Sequence, residues 1–217
     1  ITAAIEQGRV MFDNIRKSTV YLMADSFTVM ILIAGSLLMG LPIPILPAQI
    51  LWINLIADSL PNVGLTLEPG EKDVMKLPPR SRYEPVLNTE MMTIIFTIGV
   101  VTDVMLFALY LWLLNTIQDI GVVRSIMFAA VGIDSLLYIF SVKSFRQTIF
   151  RINPFSNPWL LGGVAIGFGL MLLALIHPFF QTIFEVSPLG LSDWLLLLMI
   201  GALKLVMIEL VKEVLIF

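Results

Sequence analysis

Leu51-Trp52-Ile53-Asn54-Leu55-Ile56-Ala57-Asp58-Ser59-Leu60-Pro61 sets an amide and a carboxylate four residues apart inside a hydrophobic run. On a helix that spacing puts both side chains on one face. A carboxylate in hydrocarbon costs roughly 2.5–3.5 kcal/mol on insertion scales, so a buried one needs a partner or an ion. Pro61 has no N–H to donate and deprives the carbonyl of residue 57 of its helical bond. Side-chain oxygens and one freed backbone oxygen would then converge at membrane depth, as a hard cation requires. A polar pair that only holds helices together is the competing reading. These residues alone leave the two level.

The composition around this stretch settles the class. Hydrophobic residues make up 58% of the 217 and charged residues 13%, with a mean hydropathy of +0.95. A soluble domain covers its surface with about 25% charged residues. This is a polytopic membrane protein. The net charge of −3 and the 13 basic residues, spread in short clusters, give no reason to expect a nucleic-acid partner. Absence of cysteine removes disulfides, thiolate catalysis and zinc–cysteine sites. His177 stands before Pro178 with no neighbouring His or Cys, and reads as an interfacial residue rather than a metal ligand.

Residues 1–17 contain Glu6, Arg9, Asp13, Arg16 and Lys17 and no apolar core of their own. They read as a cytoplasmic stalk segment, the tail of something upstream, and not as a signal peptide. The domain that follows, 18–217, holds apolar runs at about 18–39, 45–67, 91–114, 122–142, 159–176 and 194–211. Each is close to the roughly 20 residues that cross a ~30 Å hydrocarbon core. The expected fold is therefore an all-α membrane protein, a bundle of six transmembrane helices with the lipid bilayer as its solvent. Gly40-Leu41-Pro42-Ile43-Pro44 makes a tight uncharged turn between the first two.

Basic residues alternate between loops. Arg9, Arg16 and Lys17 precede the first run; Lys72, Lys76, Arg80 and Arg82 follow the second; Lys143, Arg146 and Arg151 follow the fourth; Lys212 follows the core of the sixth. Arg124 is the exception. By the positive-inside rule both termini are cytoplasmic. The loop Glu68–Glu90, with Pro69-Gly70, Pro78-Pro79 and Pro85, is either a solvated linker or a docking surface for a cytoplasmic domain. Nothing catalytic is present: no Gly-rich phosphate loop and no His-centred triad. Trp52, Trp112, Trp159 and Trp194 sit mostly near span ends, as interfacial anchors do.

Ionisable residues inside spans are functional candidates, with pairing as the alternative. Asp25 and Ser26, with Thr28 nearby, lie in the first run; Asn54 and Asp58 in the second; Asp103 in the third; Asp134 in the fourth; Lys204 and Glu209 in the last. Lys204 is the obvious countercharge and is expected to make a structural salt bridge to one of these acids. Asp103 is expected to pair as well, and Glu209 to snorkel or meet Lys212. Asn54, Asp58 and Asp134 are oxygen donors without a local base. Calcium takes six to eight oxygens, so backbone, water or another helix would have to complete the shell.

These residues resemble a family. Glu6-Gln7-Gly8-Arg9 through Asn14-Ile15-Arg16-Lys17-Ser18 and Tyr21-Leu22 resembles the stalk and fifth membrane helix of the P-type cation-transporting ATPases. Gln49 through Pro61 is similar to their sixth helix, closest to the calcium-pump branch. Pro158-Trp159-Leu160-Leu161-Gly162 and Leu191-Ser192-Asp193-Trp194-Leu195 resemble the starts of the ninth and tenth. The resemblance runs in order over essentially the whole chain, and implies helices five to ten of such a pump.

The resemblance implies that ATP and Mg2+ act only through actuator, phosphorylation and nucleotide domains in a missing N-terminal portion. No Asp-Lys-Thr-Gly-Thr phosphorylation motif occurs in these residues, so the chain is expected to be no enzyme by itself. It also implies the transported cation, calcium, and its ligands. Asn54 and Asp58 match the sixth-helix ligands; Asp134 falls where two-site calcium pumps carry an eighth-helix glutamate; Ser26 takes the place of a fifth-helix asparagine. Val29 and Ala57 replace a glutamate and a threonine, removing two donors from the inner of two sites, which predicts one ion per cycle. Asp25, beside Ser26, would support a proton, sodium or another cation instead. Ser59 in place of a common glycine makes unwinding near Asp58 less assured. The expected location is the plasma membrane of a prokaryote. The rival reading is a stand-alone, non-enzymatic membrane module: a passive ion conductor, a scaffold or a remnant.

Overall fold

The computed structural model describes residues 1–71, 74–76, 85, 87, 89–145, 147, 149 and 152–216. Lys72, Arg80, Arg82, Arg146, Arg151 and Pro78-Pro79 lie outside the described residues, as does the side chain of Lys212. Among the described residues the regular structure is all helical. The helices are α1 (Thr2–Leu38), α2 (Pro47–Ile53), a π-helical turn (Asn54–Ser59), α3 (Leu60–Thr66), α4 (Thr89–Thr116), α5 (Ile120–Val142), α6 (Pro158–Ile176), α7 (Pro178–Phe184) and α8 (Leu191–Ile216). Five of them are long and apolar enough to cross a membrane: α1, α4, α5, α6 and α8. α2, the π turn and α3 continue one another without a break over residues 47–66. The protein is an all-α membrane protein.

Residues 1–17 and the first apolar run form one helix, α1, of 37 residues. At about 1.5 Å per residue it is about 55 Å long, well beyond the ~30 Å hydrocarbon thickness. It ends at the Gly40 turn, where a φ of +66° needs a residue without Cβ. α5 is the central helix, with 83% of its apolar window buried inside the protein, whereas α8 has 22% buried and turns its outer face to lipid. The main core packs Ile53, Ile56 and Ala57 against Leu106, Tyr110, Ile126, Phe128, Met171 and Phe184.

Small residues bring α3 and α6 together. A Cβ on Gly64 would sit 2.5 Å from Leu160 Cα, and one on Gly163 would sit 2.7 Å from the Leu60 carbonyl oxygen. Without a hydrophobic drive between helices in lipid, such close backbone approach is a main source of packing energy. The helix ends at this rim are capped by asparagines. Asn157 Oδ1 accepts from the N–H groups of Trp159 and Leu160 at 3.1 Å each, with Pro158 at the first helical position. Its Nδ2 donates to the Gly64 carbonyl at 2.8 Å and to Glu68 at 2.9 Å. Asn14 Nδ2 donates to the carbonyls of Thr66, 3.1 Å, and Glu68, 2.8 Å. The orphan carbonyls of α3 are thus satisfied from two other elements.

The same end of the bundle holds a polar network. Lys143 Nζ lies 3.3 Å from Glu68 and donates to the Pro154 carbonyl at 2.8 Å and to Ser156 Oγ at 3.0 Å. Lys17 lies 3.7 Å from Glu71, which accepts from Ser144 at 3.0 Å. Arg9 and Arg16 donate to the carbonyls of Val74 and Pro85 at 2.9 Å each. The described part of the Glu68–Glu90 loop is therefore tied to α1 rather than free as a linker.

Several local features depart from the sequence reading. Arg124, the basic exception, donates from Nε to the Ile43 carbonyl at 3.1 Å and so pins the first turn. Trp52 is not a lipid-facing anchor: its ring lies 5.1 Å from Phe184 and 5.6 Å from Phe180. α7 was not expected; His177 is its N-cap, with Nδ1 accepting from Phe179 N at 3.3 Å, and Pro178 starts it. Glu209 is buried and accepts from the Ile149 N–H at 2.7 Å; the Lys212 side chain, its expected alternative partner, lies outside the described residues.

Candidate functional site

The candidate residues fall on four elements: α1 with Asp25, Ser26 and Thr28, the π turn with Asn54 and Asp58, α4 with Asp103, and α5 with Asp134 and Ser135. α8 adds Lys204.

The Asn54–Asp58 stretch is wound as a π-helix rather than unwound. Such turns are rare, cost hydrogen-bond geometry and occur mostly at functional sites. Its cause is legible in the residues around it. Pro61 offers no N–H to the Ala57 carbonyl. The Tyr21 hydroxyl takes that acceptor instead, at 3.1 Å, and lies 3.2 Å from the Ser135 carbonyl as well. One hydroxyl hydrogen is shared between the two, so a single phenol ties α1, the π turn and α5. Tyr21 is fully buried and stacks on Tyr138 with ring centroids 6.2 Å apart.

Asp58 is partly buried. Its Oδ1 is enclosed and makes no hydrogen bond among the described residues. Asp25 is its electrostatic neighbour. Asn54, one position into the π turn, is exposed.

Asp25 is buried at 5% exposure and accepts a hydrogen bond from the Ser135 hydroxyl. Ser26 sits on the opposite flank of α1. It is exposed, and its hydroxyl donates to its own helix at Leu22, 2.9 Å away. Asp134 does have a base: Lys204 reaches across from α8 to form a buried ion pair with its carboxylate. Asp103, fully buried, accepts from Thr28 at 2.6 Å through Oδ1, while Oδ2 makes no hydrogen bond among the described residues. Asp25, Thr28, Gly99, Thr102, Asp134, Tyr138 and Lys204 line one small cavity of about 10 Å³. That is about the space of a single water molecule.

The structure therefore brings Asp25 toward Asp58 and toward Asp134, and turns Ser26 away. Among the described residues no three acidic or histidine side chains converge as a ready metal cluster. Tyr21 and Ser135 escaped notice as site residues. A tyrosine in an apolar run needs a partner for its hydroxyl, and that need was the available signal.

Known proteins share this arrangement of sequence. The family model described as "Cation transporting ATPase, C-terminus" matches residues 42–214. The chain is 33% identical over 207 residues to a calcium-transporting ATPase of Bacillus subtilis, covering 94% of this chain and 23% of that protein. It is 31% identical over 217 residues to calcium-transporting ATPase 1 of Saccharomyces cerevisiae, covering 98% and 22%. The cation-transporting ATPase pma1 of Synechocystis is 27% identical, covering 92% and 23%. The chain thus spans about a quarter of the length of these curated relatives. Five helices long and apolar enough to cross a membrane, an Asn–Asp pair on a distorted helix and these alignments lead to one assignment: the chain belongs to the P-type cation-transporting ATPases, as their C-terminal membrane region.

Proposed function

We propose that the chain is the ion-binding C-terminal part of an ATP-driven transporter and that the transported ion is calcium. The observation that carries this reading is Asp58. Its enclosed carboxylate oxygen lacks a hydrogen bond among the described residues, on a π turn beside a second buried acid, Asp25. A charged group at that depth is costly unless an ion or a partner meets it. The relatives named as calcium-transporting ATPases support the choice of ion.

In this reading Asp58 and Asn54 ligate the ion and Asp25 stands behind them. Ser26 and Asp134 are left out of the set, because one faces away and the other is held by Lys204. Calcium's remaining oxygens come from water and from helices elsewhere in the longer protein. Val29 and Ala57 offer no side-chain oxygen, so one ion moves per cycle. ATP and Mg2+ act in actuator, phosphorylation and nucleotide domains outside these residues, and no residue here has a catalytic part. The protein resides in the plasma membrane of a prokaryote, with the Lys17–Lys143 end of the bundle in the cytoplasm.

The test is phosphorylation of the full-length transporter by labelled ATP as Ca2+ is varied. Asp58→Asn abolishes the Ca2+ dependence in this reading. A variant that keeps the wild-type Ca2+ dependence overturns it.

A further inference from the structure

The contact between α1 and α4 is apolar on either side of one acid. Phe27 meets Phe96 with ring centroids 5.7 Å apart, and further along both helices a Cβ on Gly35 would lie 2.8 Å from the Phe107 ring. Between these contacts Asp103, 1% exposed, faces Thr28. We propose that Asp103 is a proton-binding site, separate from Asn54 and Asp58. Its carboxyl group is neutral, and the proton it keeps throughout transport closes a hydrogen-bonded latch from α4 to α1.

The count of hydrogens carries the inference. Thr28 Oγ1 lies 2.6 Å from Asp103 Oδ1 and 3.3 Å from the Ala24 carbonyl oxygen. A threonine hydroxyl has one hydrogen to give, and an ionised carboxylate has none. With Asp103 ionised, only one of the two contacts is a hydrogen bond. With Asp103 protonated both are: the acid donates to Thr28, and Thr28 donates to Ala24.

The surroundings offer a charge no other compensation. Asp103 Oδ2 is enclosed and makes no hydrogen bond among the described residues. The titratable groups in its electrostatic neighbourhood are Asp25 on α1, Asp134 and Tyr138 on α5, and Lys204 on α8. Lys204, the one base among these groups, is paired with Asp134, and that pair carries no net charge. A buried charge without a partner costs far more than a buried neutral acid.

Space excludes the larger cations. The adjoining cavity, lined by Thr28, Thr102, Asp134 and Lys204 among others, holds about 10 Å³, the room of one water. A metal ion with its shell of oxygens does not fit there. A proton needs no volume.

The experiment is infrared difference spectroscopy on the purified full-length transporter, wild type minus Asp103→Asn, with and without millimolar Ca2+. The expected difference is the C=O stretch of a protonated carboxyl group, which moves to lower frequency in D2O and is unchanged by Ca2+. Carboxylate stretches in its place overturn the proposal. So does a band that vanishes when Ca2+ binds, because the proton is then exchanged for the ion rather than kept. Should Asp103→Asn fail to fold, Thr28→Val is compared with wild type instead. That variant removes the acceptor, so the acid band moves to higher frequency; an acid region identical to that of wild type overturns the latch.

Discussion

The Tyr21 hydroxyl lies 3.1 Å from the carbonyl oxygen of Ala57, the backbone acceptor that Pro61 leaves without an N–H four residues on. The proline's deficit on one helix is thus made good by a phenol on another. That exchange holds α1 against the π turn at the depth of Asp25 and Asp58.

Removing this hydroxyl tests how much the exchange contributes. Tyr21→Phe keeps the ring and its stacking on Tyr138 but leaves two buried carbonyls with one donor fewer. The expected loss is about 0.5–1.5 kcal/mol, seen as a lower thermal midpoint of the purified protein in detergent. Thr19→Ala, which removes only an exposed bond to the carbonyl of Ile15 on the same helix, changes little.

Close approach of α3 and α6 makes a sharper prediction. Gly163→Val puts a Cβ 2.7 Å from the Leu60 carbonyl oxygen, a backbone atom that cannot swing aside. Destabilisation by about 2–3 kcal/mol follows from overpacking. Gly162→Ala next door meets nothing within 4 Å and is neutral. Equal midpoints for the two variants would contradict the packing described.

The Lys143–Glu68 pair is buried on both sides, with side chains 1% and 7% exposed. Lys143→Met strands the glutamate and costs about 3–5 kcal/mol. Adding Glu68→Gln to that background recovers most of the loss. A double-mutant cycle on thermal or denaturant midpoints checks this, and independent effects would dissolve the pair.

Ser26 provides the negative control for the cation site. Its hydroxyl is spent on the Leu22 carbonyl at the protein's outer face. Ser26→Ala in the full-length transporter leaves the Ca2+ concentration for half-maximal phosphorylation within about twofold of wild type, since surface substitutions away from special features change energies by about 0.5 kcal/mol or less.

Much of this was legible in the residues. Composition gave the membrane class, and the Asn54–Asp58–Pro61 spacing pointed to a distorted polar helix turn. What periodicity could not decide was which of two adjacent polar residues faces inward. Asp25 and Ser26 are about 100° apart on α1, and Asp25 is the one turned inward, where the Ser135 hydroxyl of α5 meets it, while Ala24 on its other side is buried with it. The π turn was hidden for a similar reason. Its stability depends on Tyr21 from α1, a residue 36 positions from Ala57 in the chain. Lys204 was recognisable as a countercharge, but its choice of Asp134 over Asp25 or Asp103 is a property of how α8 packs on α5.

The unbroken run of α1 has a mechanical consequence. Between Arg9 and Ala34 it contains neither glycine nor proline, so it has no built-in joint. A rod about 55 Å long that tilts by about 5° displaces one end by roughly 5 Å relative to the other. Force applied at Arg9 or Arg16 is therefore delivered to Asp25 as rotation of a stiff lever rather than absorbed by bending. The neighbouring helical run, divided into α2, the π turn and α3, is the compliant member of the pair, and Tyr21 is the pin between them.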